Sequence, residues 1–232
     1  PALKDLLGEQ LTTLDAAAAK TLVNQYGGFA TAAMMVGWAV GGFYFGIVGD
    51  KWGRAKTLSA SVLVYSIFTG LSGFAMSLWD FCLWRFLMGC GIGGAFATGA
   101  TLIAETVPPH SRAFALGMFQ ALSALGNIAA SAIARFLILP GTPVLEGTLG
   151  DEGIMGWRML LFLGALPAVL VVFILKTIKE PQSWLDARKV AASDKLQKQM
   201  GDIRGMFTDP RWRRSTLVGV ALAVAGVVGL WG

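Results

Sequence analysis

The sequence predicts an all-α membrane protein, an incomplete helical bundle of about six transmembrane helices. Three observations predict it. Hydrophobic residues make up 55% of the 232 residues and charged residues 14%, against roughly 25% charged in soluble domains. The apolar residues come in long blocks separated by the charged ones, an arrangement that one water-soluble core does not need. Those blocks show no period-2 alternation, and lipid offers no partner to the backbone of open strands, so they read as helices.

A hydrocarbon core of ~30 Å takes about 20 helical residues at a rise of ~1.5 Å each. Blocks at 27–49, 57–77, 81–104, 113–139, 157–176 and 215–232 meet or approach that length. The Lys/Arg bias of the connecting segments orients them. Segment 50–56 carries Lys51, Arg54 and Lys56, and segment 176–214 carries ten Lys or Arg, so both belong on the cytoplasmic side. Segment 140–156 carries Glu146, Asp151 and Glu152 and no basic residue, which puts it outside. The alternation closes, giving a multi-pass integral protein of a plasma or inner membrane. Residues 1–26 fall on the outer side, where Leu6, Leu7, Leu11, Leu14 and Leu22 suggest a short amphipathic helix. In segment 177–214 the run SWLDARKVAASDKLQKQMGDIRGMF suggests short amphipathic helices along the membrane surface. The chain opens at Pro1 in a polar stretch with no signal peptide, and both ends read as truncated.

The net charge of +5 sits in segments that flank apolar spans, so it speaks for membrane orientation and against nucleic acid. Cys82 and Cys90 lie inside apolar runs as small buried hydrophobes, with neither a disulfide framework nor zinc spacing, and no metal or cofactor is expected. His110, the only histidine, stands beside Pro108 and Pro109 in a turn and reads as solvated. With no nucleophile–base pair, metal cluster or phosphate loop, the sequence does not read as an enzyme.

Between the first two spans runs GIVGDKWGRAKT, residues 46–57. Gly53 permits a tight turn, the basic residues pin the loop, and Asp50 can cap or face a helix amino terminus. Residues 85–112 read RFLMGCGIGGAFATGATLIAETVPPHSR. Gly89, Gly91 and Gly93 would each weaken a helix in water by ~1 kcal/mol, but in lipid they let another backbone approach. Arg85 lies inside a span, so it faces a carboxylate or polar cavity, or snorkels to the outer interface. In the next span Gln120, Ser123, Asn127, Ser131 and Arg135 fall within about a third of the helix circumference at ~3.6 residues per turn. That polar face looks into a water-filled cavity or bonds to neighbouring helices; for Arg135, snorkelling is the other reading.

Gly46, Asp50, Lys51, Gly53 and Arg54 resemble the signature loop between helices 2 and 3 of the major facilitator superfamily, with Ala55 where a basic residue is common. Arg85, Gly89, Gly91 and Gly93 are similar to that family's helix-4 motif. Glu105, Pro108 and Arg112 reproduce a Glu-x-x-Pro-x-x-x-Arg element of sugar porters, although Ala113 replaces their usual Gly. Gly156-Trp157-Arg158 and Pro167 resemble helix 6, and in the following KEPQSWLDARK only Glu180, Trp184 and Leu185 keep the sugar-porter register. Related metabolite and organic-acid:proton symporters therefore stay open, whereas the missing Gly-Pro in helix 5 weighs against efflux antiporters.

The resemblance implies a major facilitator-type bundle carrying helices 2–7. Residues 1–26 would follow helix 1, 27–176 would hold helices 2–6, 177–214 the cytoplasmic linker and 215–232 the start of helix 7. It implies a secondary active transporter for a sugar or organic acid, with proton-coupled uptake. Gln120 would contact substrate, with Asn127 and Arg135 on the same face, and Arg85 would serve proton coupling beside an acidic residue of helix 1. Arg54, Glu105 and Arg112 would make gating contacts with the other half of the polypeptide. The partners implied are a small-molecule substrate, a proton, the bilayer and that remaining half. The alternatives are a transporter-fold sensor, marked by a long appended cytoplasmic domain, and a facilitator or exporter of another substrate class.

Overall fold

A computed structural model of the chain describes residues 3, 6, 7, 14–138, 156–193 and 207–231, which are mostly helical with no strand among them. The helices are α1 (Ala16–Trp52), α2 (Arg54–Ser72), α3 (Leu78–Thr106), α4 (Arg112–Ile138), α5 (Gly156–Leu163), α6 (Pro167–Thr177), α7 (Gln182–Ser193) and α8 (Pro210–Trp231), with a 3-10 turn at Pro109–Ser111 before α4. They divide into two compact units, Pro1–Trp184 and Leu185–Gly232. The acidic loop expected between 140 and 155, the linker between 194 and 206, and most of the amphipathic helix expected near the amino terminus lie outside the described residues.

Among the described residues four stretches are long and apolar enough to cross a membrane: Ala16–Trp52, Leu78–Thr106, Pro109–Arg135 and Arg158–Thr177. α1 begins at Ala16 rather than 27, because Asp15 caps it by accepting from the Ala18 amide at 2.8 Å and the following alanines favour helix. At 37 residues it is about 55 Å long, well beyond the ~30 Å hydrocarbon core. α8 likewise starts at Pro210, ahead of the expected 215.

α2, with 19 residues, is not one of the four. Small polar residues lower its hydropathy: Thr57, Ser59, Ser61, Ser66 and Ser72 are all buried. Ser59, Ser61 and Ser72 donate to carbonyls one turn back, those of Ala55, Thr57 and Phe68, at 2.8–2.9 Å. Such bonds let a polar side chain sit between helices without water.

The span expected at 157–176 is broken in two. Pro167 has no amide to continue the ladder, so the chain turns at 164–166, where Ala165 and Leu166 donate to Phe162 and Leu163 at 3.0 and 3.1 Å. The break therefore leaves these carbonyls satisfied.

Helix α3 packs against α1 and α2 at backbone distance. A Cβ on Gly37 or Gly41 of α1 would overlap the α3 backbone at Phe86 and Cys90. A Cβ on Gly89 or Gly93 would overlap the Met34 or Trp38 carbonyl of α1, and one on Gly91 would overlap Tyr65 of α2. Glycine is the residue that permits such an approach. Phe29, Val36, Val40, Phe43 and Tyr44 stand exposed on the adjoining face of α1, an apolar surface suited to lipid.

Candidate functional site

The loop between α1 and α2 is one residue, Gly53, with φ 115°, a left-handed value that side chains disfavour. A Cβ there would also press into the Glu180 carboxylate. That carboxylate accepts from the first three amides of α2, those of Arg54, Ala55 and Lys56, at 2.7, 3.2 and 3.2 Å. The amide end of a helix carries a partial positive charge and unpaired donors, so an anion stabilises it. Four residues on, Trp184 is buried and its Nε1 donates to the Asp50 carbonyl at 2.8 Å.

The capping role expected of Asp50 thus belongs to Glu180. Asp50 precedes the Gly53 turn and is still part of α1, so its carboxylate pairs with the Arg54 guanidinium at 2.6 Å. Arg54 also reaches Glu105 near the end of α3, with Nη2 and Nε at 2.9 and 3.2 Å from the same oxygen, Oε1. The side chains of Arg54 and Glu105 are 13% and 24% exposed, so this pair is largely out of water. Burial lowers the Arg54 pKa, but Glu105 and Asp50 outweigh it and hold the group above its ordinary value. The other Glu105 oxygen, Oε2, is buried and has no hydrogen-bond partner among the described residues. Arg112 donates to the Val107 carbonyl at 3.2 Å, next to its own helix start. Lys51 is exposed, and a Cβ on Gly46 would meet open space.

Arg85 lies elsewhere, on a cavity of about 320 Å³ between α1 and α3 lined by Leu3, Ala30, Thr31, Met34 and Phe81. Its guanidinium carbon is 4.8 Å from the centroid of the Phe81 ring, a cation–π contact. No carboxylate among the described residues is within ion-pair distance of it.

The third group is the polar stripe of α4. Gln120, Ser123, Asn127, Ser131 and Arg135 are all exposed, and Ser131 Oγ donates to the Asn127 carbonyl at 2.8 Å. Phe114, Met118, Leu122, Leu125 and Ile128 stand exposed on the other side, while Phe119 meets Phe96 of α3 with centroids 5.4 Å apart. The structure therefore joins Asp50, Arg54 and Glu105 and keeps Arg85 and the α4 stripe as separate sites. Sequence reasoning missed the role of Glu180, although its match in register was a signal, and missed Gly37 and Gly41, whose four-residue spacing is a packing signature.

The family model described as Sugar (and other) transporter matches residues 8–222 of the chain. Over 168 residues the chain is 34% identical to the probable 4-methylmuconolactone transporter of Cupriavidus pinatubonensis, a match covering 72% of this chain and 37% of that protein. Over 228 residues it is 26% identical to the arabinose-proton symporter of Bacillus subtilis, covering 88% of this chain and 47% of that one. Its fold is similar to that of the xylose transporter of E. coli in a partially occluded inward open conformation, with TM-score 0.63, 23% identity, and 98% and 57% of the two chains covered. The chain thus spans less than half the length of these two curated relatives.

Proposed function

This chain belongs to the Sugar (and other) transporter family, within the major facilitator superfamily, and on that premise we propose that it serves in a secondary active transporter. It moves a small polar metabolite, a sugar or an organic acid, by alternating access, with uptake driven by protons. Family membership and the apolar helices make the chain an integral membrane protein rather than an enzyme. Assignment to a plasma or inner membrane, with 50–56 and 177–214 cytoplasmic, belongs to the proposal. So does the numbering of α1–α4 as helices 2–5, α5–α6 as helix 6 and α8 as the start of helix 7.

The observation that carries the reading is the α4 stripe. A helix apolar enough to cross a membrane presents Gln120, Asn127 and Arg135 on one face, exposed rather than packed on the described helices of its own unit. Polar groups at that depth need water, substrate or another helix, and a midplane substrate path supplies the first two. The relatives named for a lactone and for arabinose with protons support the substrate class and the coupling ion. Arg85 is the coupling residue in this reading. Glu105 Oε2, without a partner among the described residues, is an acceptor left for a cation of the other half, in keeping with a gate built on Asp50, Arg54, Glu105 and Arg112.

The test is uptake by the intact protein. Gln120→Ala raises the apparent KM several-fold at unchanged membrane abundance, and an unaltered KM would remove Gln120 from the path.

A further inference from the structure

The carbonyl end of α2 is closed partly by its own turn. The amides of Gly73, Phe74 and Ala75 donate back to Gly70, Leu71 and Ser72 at 2.9, 3.0 and 3.4 Å. The carbonyls of Gly73 and Ala75, both buried residues, are served instead from α5. Arg158 donates Nη1 to Gly73 at 3.0 Å and Nη2 to Ala75 at 3.4 Å. A planar guanidinium can reach two acceptors at once, and its charge suits the negative end of a helix dipole. One turn further along α5, Phe162 covers Gly73 and packs on Phe74 with ring centroids 4.9 Å apart.

The same turn carries one wall of the Arg85 cavity. Ala75 is 1% exposed and forms one buried cluster with Ala30 and Phe81, against which Leu161 of α5 packs. Phe81 is the ring on which Arg85 lies, and Ala30, Phe81 and Arg85 all line the cavity. A continuous path of contacts therefore runs from Arg158 through Ala75 and Phe81 to Arg85.

We propose that Arg158 is a positioning residue for the Arg85 cavity: by holding the Gly73 and Ala75 carbonyls it sets the turn that seats Phe81 beneath Arg85. Arg158 acts through the turn and does not line the cavity. The inference deepens the transport reading and rests on it for its uptake measurement, while its exchange measurement needs no transport.

Hydrogen–deuterium exchange and uptake are compared on the intact protein in lipid for wild type, Arg158→Gln, Arg158→Lys, Arg85→Lys and the double variant Arg158→Gln/Arg85→Lys. Arg158→Gln speeds exchange of amides 73–81 by roughly tenfold, the scale set by a buried carbonyl losing its donor. Amides 54–57 at the far end of α2 keep their protection. Arg158→Lys, which retains the charge and one donor direction, gives a smaller change in the same place and stands in if the Gln variant does not reach the membrane. In uptake the double variant falls no more than about twofold below Arg85→Lys, because a residue that acts through another adds little once the other is altered. Unchanged exchange at 73–81, or uptake losses that multiply, would overturn the proposal. If the wild type takes up no sugar or organic acid, the transport reading fails and the exchange result alone decides this one.

Discussion

α3 and α4 are neighbours of similar length, and both are apolar enough to cross a membrane, yet their side chains meet very different surroundings. On α3, glycines at 89, 91 and 93 bring it into backbone contact with α1 on one side and α2 on the other. On α4, the stripe from Gln120 to Arg135 is exposed, and Gly117 and Gly126 have no neighbour where a Cβ would go. A span can therefore be apolar for two reasons: to be gripped by other helices, or to carry a polar face past lipid. Burial separates the two where hydropathy does not.

The largest expected effect tests that division directly. Gly41→Ala places a methyl on the Cys90 backbone and should destabilise the bundle by about 3 kcal/mol or more, at the upper end of overpacking costs. Gly126→Ala on α4 should leave the thermal midpoint in detergent close to wild type. Equal losses would break the comparison. Glu105→Gln comes next, because it neutralises one of the two carboxylates paired with a cation whose side chain is 13% exposed, Asp50 being the other. It should cost about 2 kcal/mol by thermal unfolding, less than the ~3–5 kcal/mol of a fully buried pair. Glu180→Ala should cost about 1 kcal/mol, the scale of a lost amino-terminal cap, with faster amide exchange confined to the first turn of α2. Gln120→Ala, expected to alter KM, should shift stability least of all.

The helical spans were legible in the sequence because membrane length and apolar runs are local properties. Gly53 was legible as a turn through motif spacing, whereas Arg54 and Glu105 were expected to reach the other half, and their pairing with each other emerges only from the fold. The true cap of α2 was not, since Asp50 and Glu180 are both plausible anions and only the three-dimensional path shows that Asp50 is still inside α1. The break at Pro167 was visible as a residue but not as a turn, because a proline in a membrane helix is compatible with a kink as well as with an interruption. Arg158 could be placed at a helix start from its Trp-Arg setting, whereas its bond to a turn 83 and 85 residues earlier could not.

The bond between Glu180 and the Arg54 amide spans 126 residues of chain, which gives it a place in time as well as in space. At ~5–20 residues per second, ribosomal synthesis delivers the carboxylate on the order of 10 s after the amides it serves. Through that interval the first turn of α2 is without the carboxylate that caps it in the finished fold. The contact cannot guide the early helices into the bilayer. It closes only once α5 and α6 have followed them, and so it marks a bundle whose later helices have arrived.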